Sequence, residues 1–515
     1  MTEKLDLQAL QNGSDIRGIA ISTFNQEETL TPKRVSKIGQ GFVKWLMEEK
    51  HLPSISGEKI KIAIGQDSRL SGNDMKAALI QGMQNFYVEI LDCGLATTPA
   101  MFMSTLYEGF QADGSIMITA SHLPFEYNGL KFFTASGGAE HGDIEKILDF
   151  AAELPEDFNS QLKQKQQEVI KKDLLTVYAA DLVEKIREGI PNSAHPEQPL
   201  LGRHIIVDAG NGAGGFFVDQ VLKPLGANTE GSQFLQPDGT FPNHEPNPDN
   251  KEAMRSLQKA VIAYEADLGI IFDTDVDRSA LVDDKGTVFN RNNLIALISS
   301  ILLKEDPGAT IVTNSATSKH LETFLNNLGG KLDRYLTGYR NVINRAMKLD
   351  EKGENAVLAI ETSGHAALKE NYYLDDGAYL IAKLLMADAT LLSEGKKLSD
   401  LISMLNQPKE TLEYRFTIID DDVIETGNRV IKNFSDFLEK QEDLAIVKNH
   451  LEGIRADFFG KYGQGWFILR MSLHEPLLVW TIESDEEGKI SLLEEDLLPF
   501  FMQQQGLDHD KIKRK

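Results

Sequence analysis

The sequence predicts an α/β protein, in which three similar α/β domains with mostly parallel sheets precede a C-terminal α+β domain. Three times the chain passes from an apolar strand through a polar loop into a helix pattern, starting near Lys61, His204 and Ala309. Alternating strands and helices are typical of a mostly parallel sheet covered on both faces. From about Thr411 this alternation gives way to strands and longer helices, and 515 residues are too many for one core.

Breaks in the pattern place the domain boundaries. Pro32 to Glu49 has the period of an amphipathic helix, and Val88 to Cys93 is an apolar run typical of a buried strand. The Pro-rich segment Ile190 to Pro199 interrupts regular structure and gives the first boundary. The basic end, Lys511 to Lys515, is expected to be a frayed, solvated tail. We predict domains at residues 1–195, 196–300, 301–408 and 409–515.

Composition limits the classes of partner. The formal charge of −25 argues against nucleic acid and anionic membranes as main partners, because both require a basic face. The cations that bind an anionic substrate must therefore be gathered locally. Cys93 is the only cysteine, which excludes an internal disulfide bond and a zinc site built from cysteines. The N-terminus lacks a signal-peptide core and no run reaches transmembrane length, so we expect a soluble, cytoplasmic protein.

The stretch Thr119 to Lys131 holds the first candidate catalytic group. It lies between two apolar runs that predict strands, and Pro124 stiffens the loop. Ser121 at the strand end is therefore held outward, while His122 and Lys131 offer a proton acceptor and a fixed cation. This combination suits a serine that carries and passes on a charged group. An ordinary polar hairpin is the alternative.

A second loop carries three carboxylates at alternate positions, Asp273, Asp275 and Asp277, directly after a buried strand. They repel one another unless a cation lies among them, and Mg²⁺ prefers such oxygen ligands. An EF-hand would require Gly at the sixth position and Glu at the twelfth, where Arg278 and Asp284 stand. An aspartyl-phosphate phosphatase strand fits less well, because Asp277 occupies the place of its Thr or Val. A solvated acidic turn is the remaining alternative to a magnesium site.

The glycine-rich stretch Gly210 to Gly215 satisfies the spacing of a dinucleotide-binding fingerprint. The acidic residue that should end the next strand is missing, because the nearest candidate, Glu230, lies in a turn beside Gly231. We therefore interpret the glycines as a tight turn. The chain also has no Gly-x-x-x-x-Gly-Lys-[Ser/Thr] motif for an ATP-binding loop.

Three further polar loops follow predicted strands. Glu and Ser close together on a loop can hold vicinal sugar hydroxyls, and a histidine can add a proton shuttle. An Arg, a hydroxyl and an imidazole can surround a phosphate. Each loop alone is also compatible with ordinary loop chemistry. The candidates are Thr337, Gly338 and Arg340 in the first loop, Glu361, Ser363 and His365 in the second, and Arg470, Ser472 and His474 in the third.

Together these segments resemble the α-D-phosphohexomutases, the phosphomannomutase/phosphoglucomutase family, over nearly the whole chain. The phosphoserine motif of that family matches Thr119 to Lys131, with Leu123 in place of Asn. Its metal and sugar motifs match Asp273 to Arg278 and Glu361 to His365, with Thr274 and Ile360 each in place of Gly. Further family-like stretches are Asp15 to Gly18, Gly65 to Arg69, Pro237 to Pro248 and Asp375 to Gly377.

The phosphate loop departs from the family pattern Arg-x-Ser-Gly-Thr-Glu-Pro-x-x-Arg. Leu473 and His474 replace Gly-Thr, and Val479 stands where the second Arg belongs. Gly lets the backbone approach a phosphate, and Arg grips it with two donors. Losing both is expected to weaken retention of the non-reacting phosphate by roughly tenfold or more.

The resemblance implies an active site in a central cleft, where phosphorylated Ser121 gives its phosphoryl group to a hexose monophosphate. The hexose 1,6-bisphosphate then turns over and returns its other phosphate to the serine. It also implies that Asp273, Asp275 and Asp277, together with Ser121, hold Mg²⁺. Arg17, Arg278 and Lys131 are candidates for steadying the transferring group, with His122 or His365 as proton shuttle. Thr337, Gly338, Arg340, Glu361 and Ser363 would bind the sugar, and Arg470, Ser472 and His474 the distal phosphate.

Alternative functions stay open at this point. The altered phosphate loop favours release of the bisphosphate, so the protein could be a hexose 1,6-bisphosphate synthase that uses a bisphosphate donor. The Ser-Gly-His form of the sugar loop is also compatible with a phosphoglucosamine mutase. A non-catalytic sugar-phosphate sensor is a third alternative, against which Ser121 and the three aspartates argue. The sequence indicates neither the preferred hexose nor the oligomeric state.

Overall fold

The computed structural model describes residues 6–49, 59–84, 86–155, 168–473 and 475–514. The chain forms two compact units, one from Met1–Leu294 with Ser363–Asp400, the other from Ile295–Thr362 with Leu401–Lys515. In the described part of the chain, no helix is both long and apolar enough to cross a membrane.

The larger sheet of the first unit has eight strands and carries the Ser121 loop. Gly114–Ile118 pairs in parallel with Ile60–Gln66 and antiparallel with Tyr127–Thr134. A hairpin therefore joins the two strands that flank Ser121, as a short connection requires. The other strands of this sheet are Gln11–Asn12, Asp15–Ile19, Val88–Leu95, Gly137–Gly138 and Glu168–Lys171.

Helices pack against this sheet through a buried aromatic core. Phe42, on the helix Pro32–Glu48, lies 4.8 Å from Phe132 and 5.8 Å from Trp45 between ring centroids. The predicted helix from Pro32 is thus confirmed, and Thr31 caps it by accepting a hydrogen bond from the amide of Arg34. Further helices of this unit are Gly72–Met83, Thr98–Met103, His141–Glu153, Leu174–Gly189, Lys251–Ala263 and Gly377–Ser393, with a π-helix at Phe217–Leu222.

The second sheet of this unit has four strands and carries the aspartate loop. Leu268–Phe272 pairs in parallel with Ile205–Asp208 but antiparallel with Ser279–Asp283, which in turn pairs antiparallel with Val288–Phe289. The predicted α/β architecture is confirmed, with sheets that are mixed. The mixture arises because the six residues between Phe272 and Ser279 cannot make the crossover that a parallel pair needs. The strands Ala366–Leu368 and Leu374–Asp375 pair as an antiparallel hairpin.

In the second unit, three parallel strands bring three loops to one sheet edge. Thr310–Asn314 lies between Lys331–Tyr335 and Ala356–Ile360. Since the carboxyl ends of parallel strands share an edge, the loops after these strands, which contain Ser315, Thr337 and Glu361, are neighbours. The helices near these strands are Arg291–Glu305, which spans the boundary between the units, Lys319–Asn327 and Tyr339–Glu351.

The last sheet is antiparallel and has six strands. One face packs on the helices Val423–Leu438 and Lys489–Phe501 through a core that includes Phe434 and Trp480. The prediction of a frayed C-terminus is wrong, because Lys513–Arg514 pairs with the strand Glu410–Thr417 and satisfies its exposed edge. The other strands are Leu444–Ile446, Ile454–Phe458, Gly465–Met471 and Leu477–Ser484.

Candidate active site

Ser121 lies buried at the tip of its hairpin in a left-handed backbone conformation, with φ of 52° and 2% exposure. Its hydroxyl donates to Asp273 Oδ2 at 2.9 Å and accepts from Arg278 Nη2 at 2.6 Å. Arg278 also donates from Nε to Asp273 Oδ2 at 3.0 Å. Two segments 152 residues apart in sequence therefore fix one nucleophilic oxygen between a carboxylate and a guanidinium.

His122 has a different environment from the one expected of a proton shuttle. Its Nδ1 accepts a hydrogen bond from Arg278 Nη2 at 2.6 Å. The same nitrogen lies 3.4 Å from the Ser121 hydroxyl. Because the arginine donor occupies Nδ1, this nitrogen is poorly placed to accept the proton of a sugar hydroxyl. A proton-shuttle role for His122 or His365 stays a prediction.

The three loop aspartates are fully buried. Asp277 Oδ2 accepts from Lys131 Nζ at 2.5 Å, and Asp275 accepts from the Thr98 hydroxyl. The remaining oxygens, Asp275 Oδ1 and Asp277 Oδ1, are buried and accept no hydrogen bond from any described residue. Carboxylate oxygens of the three aspartates lie within 4.8 Å of one another. These orphaned acceptors fit a hard divalent cation, for which oxygen ligands are the preferred donors.

The electrostatics of the trio also favour binding of a cation. Burial, with the charges of Asp277 and Asp275, raises the pKa of Asp273 well above its usual range. Burial acts in the same direction on Asp277, but Lys131, His365 and Arg278 outweigh it and lower the pKa of Asp277. Like charges this close favour protonation of one of them unless a cation is added. The cluster therefore suits a divalent cation.

His365 is oriented by Asp375, a residue that the sequence placed in a family-like stretch without a role. His365 Nδ1 lies 2.6 Å from Asp375 Oδ2, whose other oxygen accepts from the amide of Ala366 at 3.0 Å. Burial tends to lower the pKa of His365, but the carboxylates of Asp375 and Asp277 outweigh it and raise the pKa. A carboxylate on one ring nitrogen fixes the tautomer and directs the other nitrogen to its partner.

Arg69 organises the serine loop and was missed as a functional residue. Its guanidinium donates to four carbonyl oxygens of that loop, at distances from 2.5 to 2.8 Å. Asp67 accepts from the Arg69 amide at 2.9 Å and from the Thr119 hydroxyl at 2.7 Å, and Thr119 accepts from the Ser121 amide at 2.9 Å. Hydrogen bonds thus fix both the backbone amide and the backbone carbonyl of Ser121. The four carbonyls belong to Ser121, Leu123, Pro124 and Tyr127.

Replacing Arg69 with Lys is expected to lower kcat about 10²-fold, because a lysine cannot bridge four carbonyls and a nucleophile displaced by about 1 Å loses this much. KM should change less, since the contacts of Arg69 with the loop backbone and with Asp67 include no candidate substrate ligand. Steady-state kinetics with glucose 1-phosphate measures both constants. The matched change at exposed Arg255, Arg255→Lys, should leave them within twofold. Wild-type kcat in Arg69→Lys would show that the loop holds Ser121 without the guanidinium.

Arg17 lies on the strand next to the serine hairpin, where its backbone is opposite Gly129. Its guanidinium pairs with Asp15 at 3.0 Å. Lys131, by contrast, reaches the aspartate trio, at 2.5 Å from Asp277 and 3.6 Å from Asp275. The structure therefore brings Lys131 into the cluster, and a role for Arg17 at the transferring group stays a prediction.

The glycine-rich stretch supports the aspartate loop. A Cβ on Gly212 would lie 2.6 Å from the carbonyl oxygen of Thr274, and the amide of Ala213 donates to that same oxygen at 2.8 Å. Glycine is needed here for the close approach of two backbones. This contact explains the glycine at position 212 within the turn.

In the second unit, the structure brings Thr337, Gly338 and Glu361 together. Glu361 Oε1 accepts from the Gly338 amide at 2.7 Å. Glu452, which the sequence did not single out, accepts from the Thr337 hydroxyl at 2.6 Å and from the Ser315 hydroxyl. Its loop thus reaches the sheet edge formed by the three parallel strands. Ser363 and His365 belong to the first unit, and Arg340 Nη2 donates to Asn344 Oδ1 at 3.3 Å.

The loop predicted to bind the distal phosphate begins where the strand Gly465–Met471 ends. Arg470 Nη1 donates to the Met471 carbonyl at 3.1 Å, and the Ser472 amide donates to the Leu477 carbonyl at 2.8 Å. Leu473 lies beside Gly338, whose added Cβ would be 3.2 Å from Leu473 Cδ1. His474 lies outside the described residues.

Family models match most of the chain. They describe the three alpha/beta/alpha domains of phosphoglucomutase/phosphomannomutase, at residues 8–156 for domain I, 178–286 for domain II and 290–407 for domain III.

Whole-chain relatives agree with these models. A phosphomannomutase/phosphoglucomutase of Pseudomonas syringae pv. tomato is 27% identical over 97% of this chain and 94% of its own length. A phosphoglucomutase/phosphomannomutase of Thermococcus kodakarensis is 30% identical over 94% of this chain and 98% of its own. The crystal structure of a phosphoglucomutase/phosphomannomutase family protein from Burkholderia thailandensis shares the fold, with a TM-score of 0.75, 24% identity and coverage of 97% and 99%. The chain belongs to the phosphoglucomutase/phosphomannomutase family of α-D-phosphohexomutases.

Proposed function

We propose that this protein is a phosphohexomutase that interconverts hexose 1-phosphate and hexose 6-phosphate through phosphorylated Ser121. The observation that carries the proposal is the buried Ser121 hydroxyl, held between Asp273 and Arg278 beside an aspartate trio. A serine set among fixed charges is suited to phosphoryl transfer, which depends on positioning and charge stabilisation more than on covalent help. The names of its relatives point to glucose and mannose phosphates as substrates.

In the first step, a hydroxyl of the hexose monophosphate attacks the phosphorus of phospho-Ser121. The bond between phosphorus and Ser121 Oγ breaks as the new bond to the sugar oxygen forms, and Arg278 stabilises the serine oxygen that leaves. The proton of the sugar hydroxyl passes to His365, which Asp375 orients. The resulting hexose 1,6-bisphosphate turns over, and its other phosphoryl group returns to Ser121 by the reverse step.

The residues that would hold Mg²⁺ are Asp273, Asp275 and Asp277, with a phosphoserine oxygen completing the site. When bound, the ion supplies charge neutralisation at the transferring group. Lys131 holds Asp277 in place at 2.5 Å and keeps it ionised for that task. Arg278 bridges Asp273 and the Ser121 hydroxyl, so one guanidinium positions both the carboxylate and the nucleophile.

We propose that the sugar and its distal phosphate bind to the loops that follow Tyr335, Ile360 and Met471. Glu361 is the candidate for vicinal hydroxyls, with Thr337 and Gly338 beside it. Arg470 and Ser472 are the candidates for the phosphate that does not react. Arg470 Nε is buried and donates to no described residue, which leaves this donor for a ligand.

The decisive experiment incubates the protein with glucose 1-phosphate and Mg²⁺, with and without trace glucose 1,6-bisphosphate. A mutase forms glucose 6-phosphate, and the trace bisphosphate accelerates it by keeping Ser121 phosphorylated. Absence of glucose 6-phosphate in both samples would contradict the proposed function for glucose. Parallel samples with mannose 1-phosphate and glucosamine 1-phosphate test the mutase on the other hexoses.

A hexose 1,6-bisphosphate synthase is the second candidate, favoured by Leu473 and Val479 in the phosphate loop. Supplying fructose 1,6-bisphosphate as donor distinguishes the two activities. A synthase accumulates glucose 1,6-bisphosphate in proportion to the donor consumed and makes little glucose 6-phosphate. A mutase makes glucose 6-phosphate in large excess over the donor. Mass spectrometry of Ser121 separates either enzyme from a sensor, which would carry no phosphate there.

A further inference from the structure

The antiparallel sheet of the second unit carries arginines on the face opposite its helices. Tyr414, Leu478 and Leu469 belong to the core on the helical side. Side chains alternate along a strand, so the neighbouring residues Arg415, Val479 and Arg470 project from the other face.

These three side chains form a row across three adjacent strands. Arg415 is directly opposite Val479, and Val479 is directly opposite Arg470. Directly opposite residues share one face of the sheet. Adjacent strands lie about 4.8 Å apart, so the Cα atoms of Arg415 and Arg470 are roughly 10 Å apart. Two long guanidinium side chains at this spacing can converge on one ligand over the valine between them.

The row lies at the end of the sheet where the phosphate loop joins two of its strands. The strand of Arg470 ends at Met471, and the strand of Val479 begins at Leu477. Arg415 Nη1 donates to Glu475 Oε2, a residue of that loop, at 2.9 Å. The guanidinium of Arg415 is therefore beside the loop although it comes from a strand about 60 residues earlier.

Two carboxylates orient Arg415 without enclosing it. Its Nε donates to Glu413 at 3.0 Å, and its side chain remains 26% exposed. The side chain of Glu475 is 56% exposed and can therefore swing into solvent. A phosphate dianion arriving at the loop can replace the single carboxylate oxygen of Glu475 as the acceptor of Arg415 Nη1.

We propose that Arg415 supplies the second guanidinium of the distal-phosphate site and, together with Arg470, binds the non-reacting phosphate monoester. It takes the place of the arginine that Val479 replaces, from the neighbouring strand. Two planar guanidinium groups hold a phosphate by charge-assisted hydrogen bonds that a single one cannot provide. The inference rests on the proposed function for the identity of the ligand, a hexose phosphate. Binding by Arg415 also offsets the weaker retention of the distal phosphate that is expected from Val479.

The test compares Arg415→Gln with Arg429→Gln, a matched change on the helix Val423–Leu438 that covers the opposite face. In Arg415→Gln, KM for glucose 1-phosphate should rise about tenfold, with a smaller change in kcat, because one charge-assisted grip on bound substrate is lost. Adding Val479→Arg to Arg415→Gln should restore most of the affinity. Arg429→Gln should leave both constants within twofold. An unchanged KM in Arg415→Gln, in a protein with wild-type thermal unfolding, would overturn the proposal.

A binding measurement keeps this inference separate from the proposed function. Titration calorimetry with glucose 6-phosphate, and with inorganic phosphate as the minimal probe, requires no turnover. Weaker binding of both probes to Arg415→Gln and to Arg470→Gln supports the shared site, even for a wild-type protein without mutase activity. Weaker binding to Arg470→Gln alone overturns the role of Arg415 and leaves the proposed function intact.

Discussion

Replacing Ser121 with Ala is expected to reduce turnover of glucose 1-phosphate by about 10⁴- to 10⁶-fold, the range seen when an enzyme loses its nucleophile. No other hydroxyl lies between Asp273 and Arg278, among the hydrogen bonds of the described residues, to take over the phosphoryl group. Arg278 and Asp273 still pair at 3.0 Å without the serine hydroxyl, so the fold should survive. A coupled assay of glucose 6-phosphate formation measures the loss.

A matched control is Ser136→Ala, on the exposed turn that follows the strand Tyr127–Thr134. Its turnover should stay within twofold of wild type, because its exposed hydroxyl bonds the Thr134 hydroxyl at 2.8 Å, away from the aspartate trio. Intact-mass spectrometry after incubation with glucose 1,6-bisphosphate should show one added phosphate in the control and none in Ser121→Ala. Comparable turnover in Ser121→Ala and wild type would remove the phosphoserine from the mechanism.

Features that depend on residues close together in sequence could be predicted from the sequence alone. The apolar runs before Ser121 and before Asp273 are buried strands in the structure, and the amphipathic pattern from Pro32 is a helix. The aspartate trio is a local pattern of alternate residues, so its clustering also followed from its spacing. Local sequence thus determined the elements and the carboxylates of the site.

Contacts between distant segments could not be predicted in the same way. Lys131 and Asp277 are 146 residues apart, and only the resemblance to a family brought them into one site. Arg69 bonds the serine loop and Glu452 bonds the Thr337 hydroxyl, but both belong to other loops, and their neighbours in sequence do not reveal these contacts. The paired C-terminus was mispredicted for the same reason, because the strand edge it covers lies about 100 residues away.

Replacing Asp275 with Asn is expected to lower turnover about 10³-fold and to abolish the stabilisation that Mg²⁺ gives the wild-type protein. Asp275 Oδ1 is a buried acceptor that no described residue satisfies, and its charge repels Asp273 and Asp277. Mg²⁺ at 100 times its Kd should stabilise the wild type by about 2.7 kcal/mol, since the ion binds the folded state only. Thermal unfolding with Mg²⁺ and with EDTA measures this difference without any turnover.

In the absence of metal, we expect the Asp275→Asn variant to be more stable than the wild type, which is the opposite of its behaviour with Mg²⁺. Removing one of three like charges should stabilise Asp275→Asn by about 1 kcal/mol over metal-free wild type, or roughly 2–4 °C in Tm. The control Asp284→Asn, which removes a surface charge paired with Lys397 at 2.6 Å, should keep the full response to Mg²⁺ and full turnover. An unchanged Mg²⁺-induced rise in Tm in Asp275→Asn would contradict the assignment of the trio as the metal site. We therefore expect a variant that is more stable than the wild type without metal but inactive with it. The reason is that three clustered carboxylates bind a cation well but repel one another, and so destabilise the metal-free protein.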